Sequence, residues 1–438
     1  MVSAAALRLG ELEPGSRVAL YLQRDERYVA LVLALIRAGH VACPLSDRIP
    51  PRGLAALLRK AACSALISED EELLQTAGAN LRRLKPEDLI REGEQLAAPT
   101  DIPLERPATI IFTSGSTGSP KAALHTFGNH YYSALGSNTN IALRPGDRWL
   151  HSLPLYHVGG LSILFRCLLA GATVALPQQG TPLGEAIADL GATHVSLVST
   201  QLLRLLREDA ELGGLEAVLM GGGPVPPSLV DEARARGLPI YTSYGLTEMA
   251  SQVTATLPGA PLEKLRTAGR VLPHREISIS EGGEILVRGE TLFAGYVGGE
   301  KIERSLDADG WFPTGDLGEV DESGYLRVLG RRDNLFVSGG ENIQPEEIEE
   351  ALAGLEGVEA VVVVPVPDPE FGHRPVAFVR AAGDAVTPEN LARALESILP
   401  RFKMPIAFHG WPEETGGMKV SRVSFRDRAL RLHLDGRG

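Results

Sequence analysis

The residues from Ile110 to Lys121 read I-I-F-T-S-G-S-T-G-S-P-K, and their types suit one kind of chemistry. Gly115 and Gly118 let a backbone fold tightly and aim successive N–H groups inward. Thr113, Ser114, Ser116 and Thr117 add hydroxyl donors, and Lys121 adds a cation. Together they describe a cradle for a polyphosphate. The usual G-x-x-x-x-G-K-[S/T] phosphate loop is not what is written here, because Ser119-Pro120 intervenes before the lysine. A second group lies at Tyr241–Glu248 (Y-T-S-Y-G-L-T-E). Tyr244 offers a π-face to a base and Gly245 gives room beside it. Thr247 offers a hydroxyl to a phosphate, and Glu248 an oxygen to Mg²⁺, a hard cation that binds phosphates with few protein ligands. Gly221, Gly222, Gly223 and Pro224 follow the apolar run Val218–Met220. Glycines at the end of a strand let a flat ligand approach the backbone. The carboxylate of Asp316, in W-F-P-T-G-D-L-G, can accept both hydroxyls of a ribose.

The ordered string T-S-G-S-T-G-x-P-K resembles the phosphate loop of the adenylate-forming superfamily, which contains acyl- and aryl-CoA ligases, and the other blocks follow it in the family's order. The resemblance implies a carboxylic acid, ATP with Mg²⁺, and coenzyme A as ligands, and an acyl-adenylate as intermediate. It implies that Gly221–Pro224 flanks the adenine and that Arg331 contacts ribose or phosphate. His157, in L-H-S-L-P-L-Y-H-V-G-G, matches the residue bordering both the acyl pocket and the α-phosphate, so Gly159, Gly160 and Leu161 are expected to line that pocket. Asp333, in G-R-R-D-N, matches a hinge, and Gly339 and Gly340 match a loop bordering the pantetheine arm. Lys419, in T-G-G-M-K, matches the catalytic lysine of the family's terminal motif, with Met418 where a glycine is usual. The blocks Y-G-L-T-E-M-A-S-Q and S-G-G-E-N-I-Q-P-E-E-I-E look most like o-succinylbenzoate–CoA ligases of quinone biosynthesis, for which Thr200, Gln201 and Ser243 are expected wall residues. The alternatives are a ligase for another aryl or medium-chain acid, and a catalytically degenerate nucleotide-binding protein.

Composition agrees with this class. The chain has 438 residues, 44% apolar and 22% charged, and a net charge of −12 with no basic tract, which argues against a nucleic-acid partner. Cys43, Cys63 and Cys167 are sparse and far apart in sequence, which suits a reducing cytoplasm. The apolar run Val29–Ile36 is too short to span a bilayer, and no signal peptide is visible. Nothing in the sequence decides between a monomer and a homo-oligomer.

The elements that must position these residues alternate strand with helix. A strand is expected over Arg17–Leu22, a helix from Glu26 capped by Gly39, a strand over Val41–Leu45, a helix over Leu54–Ala61 and a strand over Ser64–Ser68, implying a parallel sheet covered on both faces. The family's longer lead-in before Gly15-Ser16-Arg17-Val18-Ala19 is nearly absent. Residues 75–105 are charged and aperiodic and are expected to form a surface connection. The fold expected is α/β: a large N-terminal domain over 1–332, of parallel-sheet α/β subdomains plus a β-rich subdomain, and a small mobile α+β lid over 333–438. In the lid, Pro345 opens a helix with Ile348, Ala351, Leu352 and Leu355 on one face.

Overall fold

The computed structural model describes residues 1–49, 51–71, 73, 81–90, 101–113, 120–339, 341–382, 386–396, 398–412 and 422–435. Ser114, Gly115, Ser116, Thr117, Gly118, Gly340 and Lys419, all named above for chemistry, lie outside the described residues.

The first sheet runs, in spatial order, Lys301–Glu303, Gly295–Gly298, Lys121–Thr126, Pro107–Thr113, Val41–Pro44, Arg17–Tyr21, Ala65–Ser68 and Arg82–Leu84. Its right half is parallel, as the strand–helix alternation requires. The left half is antiparallel: Lys121–Thr126 returns against Pro107–Thr113, and Thr113 sits opposite Lys121. The hairpin therefore brings the two ends of the Ser/Gly-rich string face to face. Within the segment expected to be a surface connection, Arg82–Leu84 adds an edge strand and Pro86–Leu89 a short helix.

The second sheet runs Arg270–Val271, Ser251–Ala255, Ile240–Leu246, Ala217–Met220, His194–Leu197, Arg148–Leu150 and Thr173–Ala175, with a parallel interior and an antiparallel edge. Helix Val158–Ala170 is apolar on more than one side because it lies between the two sheets. Leu161, Leu164 and Phe165 join the core beneath the first sheet, while Ile163 and Cys167 join that of the second. Helix Glu26–Ala38 starts where Asp25 accepts the amide of Tyr28 at 2.9 Å. It ends at Gly39, whose φ of 86° is the left-handed conformation a C-terminal glycine supplies at least cost.

A third, antiparallel sheet (Arg275–Ile279, Glu284–Gly289, Phe312–Val320, Leu326–Arg331) closes over the body. Ala123, Met249, Val253, Ile285, Phe293, Phe312 and Leu326 form the shared core joining the three sheets. The fourth sheet consists wholly of later residues: Glu341–Ile343, Phe336–Ser338, Gly372–Ala381, Val358–Asp368 and Phe408–Gly410. Helix Pro345–Ala353 buries Ile348 and Leu352 against it, with Ala351 packed at the margin; Leu355, expected on this helix, lies past its end and packs on the same core. Cys43 and Cys63, distant in sequence, meet in the first sheet's core; the hydrogen bond with Cys63, then burial, push the Cys43 thiol well up, toward an inert thiol.

Candidate active site

The hairpin, the Tyr244–Glu248 segment and the third sheet converge on one group of side chains. Lys121, exposed at the start of its strand, places its ammonium 4.9 Å from the ring centre of Tyr296. The Tyr296 hydroxyl donates to Glu248 Oε1 at 2.5 Å. Lys121 and Glu248, far apart in the chain, are thus linked through one tyrosine that the sequence analysis passed over. The signal for it was weak: G-Y-V reads as an ordinary apolar strand. On the other side of the segment, the Tyr244 hydroxyl donates to Asp316 Oδ2 at 2.7 Å, and Arg331 Nη1 donates to Asp316 Oδ1 at 2.9 Å. Each oxygen of Asp316 thereby holds one protein partner and keeps a lone pair for a further donor. Burial pushes the Asp316 pKa up, and the Arg331 guanidinium and the Tyr244 hydroxyl oppose that shift.

Thr247 and Glu248 sit on a tight turn, Thr247–Met249, followed by two non-glycine residues at positive φ, Ala250 (53°) and Ser251 (128°). Such backbone costs on the order of 1–3 kcal/mol per residue and persists where its surroundings over-determine it. The surroundings do. His125 Nε2 contacts the Thr247 carbonyl at 2.7 Å, and the Phe293 amide donates to the Glu248 carbonyl at 2.8 Å. Ser133 Oγ donates to Ala250 O at 2.9 Å, Arg166 Nη2 to Ser251 Oγ at 3.1 Å, and Arg275 Nη1 to Gln252 O at 2.7 Å. Arg166 and Arg275 are 1% and 5% exposed, and burial pulls their pKa values down to about 10 and about 9. His125 is held neutral, its pKa lowered to about 4 by burial. An imidazole bonding a carbonyl must carry its proton on Nε2. No sequence pattern announces a buried arginine that props a turn, so these residues were missed.

The remaining expected residues are placed as follows. Gly221, Gly222, Gly223 and Pro224 follow the strand Ala217–Met220, and Gly222 has φ 80°. A Cβ on Gly221 would come within 2.8 Å of Ser243 Oγ, which donates to Met220 O; Ser243 is therefore engaged in tying the two strand ends together. Gly245 has a backbone reason to be glycine, since a Cβ there would lie 2.1 Å from Ser251 O across the hairpin. His157 is exposed at the head of helix Val158–Ala170, edge-on to the Tyr156 ring at 4.8 Å. Gly159 and Gly160 form the first turn of that helix, and Gly160 lets it approach the Pro154 carbonyl. Leu161 is fully buried in the core. The Gln201 side-chain oxygen Oε1 accepts the Val198 amide at 3.0 Å, and Thr200 beside it is exposed. Asp333 lies in the turn Arg332–Asn334, between the last strand of the third sheet and the first of the fourth. Gly339 ends that strand at φ 59°.

A single carboxylate with a hydroxyl beside it fits a cation held mostly by phosphate oxygens.

Residues 3–297 match the model of the AMP-binding enzyme family, and residues 347–413 that of its C-terminal domain. The chain belongs to this family. It is an adenylate-forming, AMP-forming acyl-CoA ligase. A 2-succinylbenzoate–CoA ligase of Bacillus pumilus is 37% identical over 91% of this chain and 84% of its own length. Among solved structures, MenE of E. coli with bound OSB-AMS, in a variant form, superimposes with a TM-score of 0.86 at 34% identity, covering 98% of this chain and 91% of that one. The o-succinylbenzoate CoA synthetase of Bacillus subtilis, in complex with ATP and magnesium ion, gives 0.83 at 32% identity over 93% and 88%. The family's ligands are an acid, ATP and CoA. Among the described residues of this AMP-binding enzyme, no helix is long and apolar enough to cross a membrane.

Proposed function

We propose that this AMP-binding enzyme activates o-succinylbenzoate and passes it to coenzyme A, serving menaquinone or a related quinone in the cytoplasm. The observation that carries the choice of acid is the likeness to 2-succinylbenzoate–CoA ligases over nearly the full length of both chains. The geometry supports the reaction itself. A carboxylate is a poor acyl donor because oxide is a poor leaving group. Its oxygen attacks the α-phosphorus of ATP, the C–O–P bond forms, the bond from that phosphorus to the bridging oxygen breaks, and pyrophosphate leaves. The thiol sulfur of CoA, having lost its proton, then attacks the acyl carbon and AMP departs.

Both first-step reactants are anions, so the site must meet charge with charge. In this reading Lys121 and the hydroxyls of residues 113–118 hold the β- and γ-phosphates, Thr247 and Lys419 meet the α-phosphate, and Glu248 faces Mg²⁺. When bound, that ion neutralises phosphate charge. Tyr244 and Gly221–Pro224 flank the adenine, with Asp316 and Arg331 at the ribose. His157 orients the incoming carboxylate, and Gly159, Gly160, Thr200, Gln201 and Ser243 belong to the acyl side, with Leu161 packed in the core behind them.

We place the domain boundary at 332/333, so that a lid of residues 333–438 turning at Asp333 withdraws Lys419 and presents Gly339–Gly340 to the pantetheine arm. Pyrophosphate release with a panel of acids, with and without CoA, tests the reading. The expected result is release specific to o-succinylbenzoate, with a CoA thioester formed only when CoA is present. Preference for another aryl or medium-chain acid would reassign the substrate, and no turnover with any acid would favour the degenerate nucleotide-binding alternative.

A further inference from the structure

We infer that Tyr296 is a positioning residue for the adenylation step, its hydroxyl fixing the Glu248 carboxylate while its ring seats the Lys121 ammonium. The inference rests on the proposal that Glu248 faces the cation of the nucleotide. Tyr296 lies opposite Ala123 on the antiparallel pair of Gly295–Gly298 with Lys121–Thr126. Lys121 and Ala123 share a strand face, so the tyrosine ring is a diagonal neighbour of the lysine, within reach of a long side chain.

The ring's place is set from behind. Phe293 stands edge-on to it at 4.8 Å, and Gly295, at φ 138°, packs so closely that a Cβ would lie 2.7 Å from Glu303 O. Upstream of this segment, Asn129 Nδ2 donates to the carbonyls of Glu290 and Leu292 at 2.8 and 2.9 Å. The same short stretch then grips Glu248 twice. The Phe293 amide holds its backbone carbonyl, and the Tyr296 hydroxyl holds its side chain. A phenol carries its proton at neutral pH, so the hydroxyl is the donor and the Glu248 carboxylate the acceptor. A tyrosine kept only for packing could be phenylalanine without consequence. One that aims a carboxylate could not.

The substitution Tyr296→Phe separates the two, because it keeps the ring, its packing and the Lys121 contact and removes a single hydrogen bond. ATP binding is measured by calorimetry across a Mg²⁺ series, alongside thermal unfolding. Y296F is expected to raise the Mg²⁺ concentration for half-maximal ATP binding about tenfold, the scale of a hydrogen bond to a charged group. Its unfolding temperature and its ATP binding without Mg²⁺ should match the wild type. Tyr296→Leu, which also removes the ring face, should weaken ATP binding without Mg²⁺ as well. In an E248Q background, Y296F should add nothing to the Mg²⁺ dependence. If E248Q shifts that dependence and Y296F does not, the inference is overturned while the Glu248 reading stands. If E248Q itself leaves the dependence unchanged, the Glu248 reading falls and takes the inference with it.

Discussion

The turn that carries Glu248 and the sheet that begins at Phe336 are held in opposite ways. The turn is gripped from several elements by side chains that are themselves buried: His125 from the first sheet, Ser133 and Arg166 from two helices, Arg275 from the third sheet. The fourth sheet meets the body through groups that reach water. Arg207, 47% exposed, pairs with Glu359 at 2.6 Å, and the Gln344 amide reaches the Arg331 carbonyl at 3.1 Å. Its firm polar contacts are internal, between Arg422 and the pair Glu346 and Glu349. A turn fixed before substrate arrives spends no reorganisation energy during reaction. A domain tied by surface pairs can leave and return as a unit. The contrast suits the mechanism proposed above, with one fixed site and two lid poses.

Removing a prop from the turn should have the largest effect. Arg275→Ala removes the guanidinium's hydrogen bonds to the carbonyls of Gln252 and Ser133 in a dry interior and opens a void, at a cost of about 3 kcal/mol or more in the body's unfolding. Urea denaturation measures this. A cost within about 0.5 kcal/mol of zero would show that the turn needs no such clamp.

The next effect is on pH dependence. His125 has a folded pKa near 4 against an ordinary 6.5, and His151 is lowered to about 3, burial being the main cause of each. A base whose folded pKa is depressed takes its proton in the unfolded chain first. Its contribution is therefore whole above pH 6.5 and is lost as pH falls toward 4. The slope approaches about 1.4 kcal/mol per pH unit for each histidine. Urea midpoints at pH 7 and 5.5 should show the loss, and His125→Asn should make it shallower by up to one such increment. Identical slopes in both proteins would contradict the assignment of a neutral His125.

The smallest effect belongs to the lid contact. Arg207→Ala should change stability by less than about 1 kcal/mol, as exposed pairs do. A loss as large as that of R275A would erase the distinction between the two regions.

Much of the fixed site was legible because it is written locally. The capping glycine at 39 and the glycines after Met220 each mark a backbone demand that few residue types meet. Strand–helix alternation read the parallel half of the first sheet but not the hairpin return that sets Thr113 against Lys121, since antiparallel pairing across a long loop leaves no local mark. The props were illegible for a different reason. Arg166, Arg275, Tyr296 and His125 act through partners distant in sequence, and nothing in a single chain distinguishes a buried arginine from a solvated one. Ser243 and Gly245 illustrate a third case, in which a residue read for binding has a hydrogen bond or close backbone contact that already accounts for its type.

The central claim is that Lys419, carried by the moving part, serves adenylate formation alone. Single-turnover measurements on Lys419→Ala test it directly, following adenylate formation from acid and ATP, and separately thioester formation from supplied adenylate and CoA. The account predicts a loss of about 10²–10³-fold in the first, the scale of one lost charge-stabilising group, and a second half-reaction near the wild-type rate. Equal losses in both would contradict it.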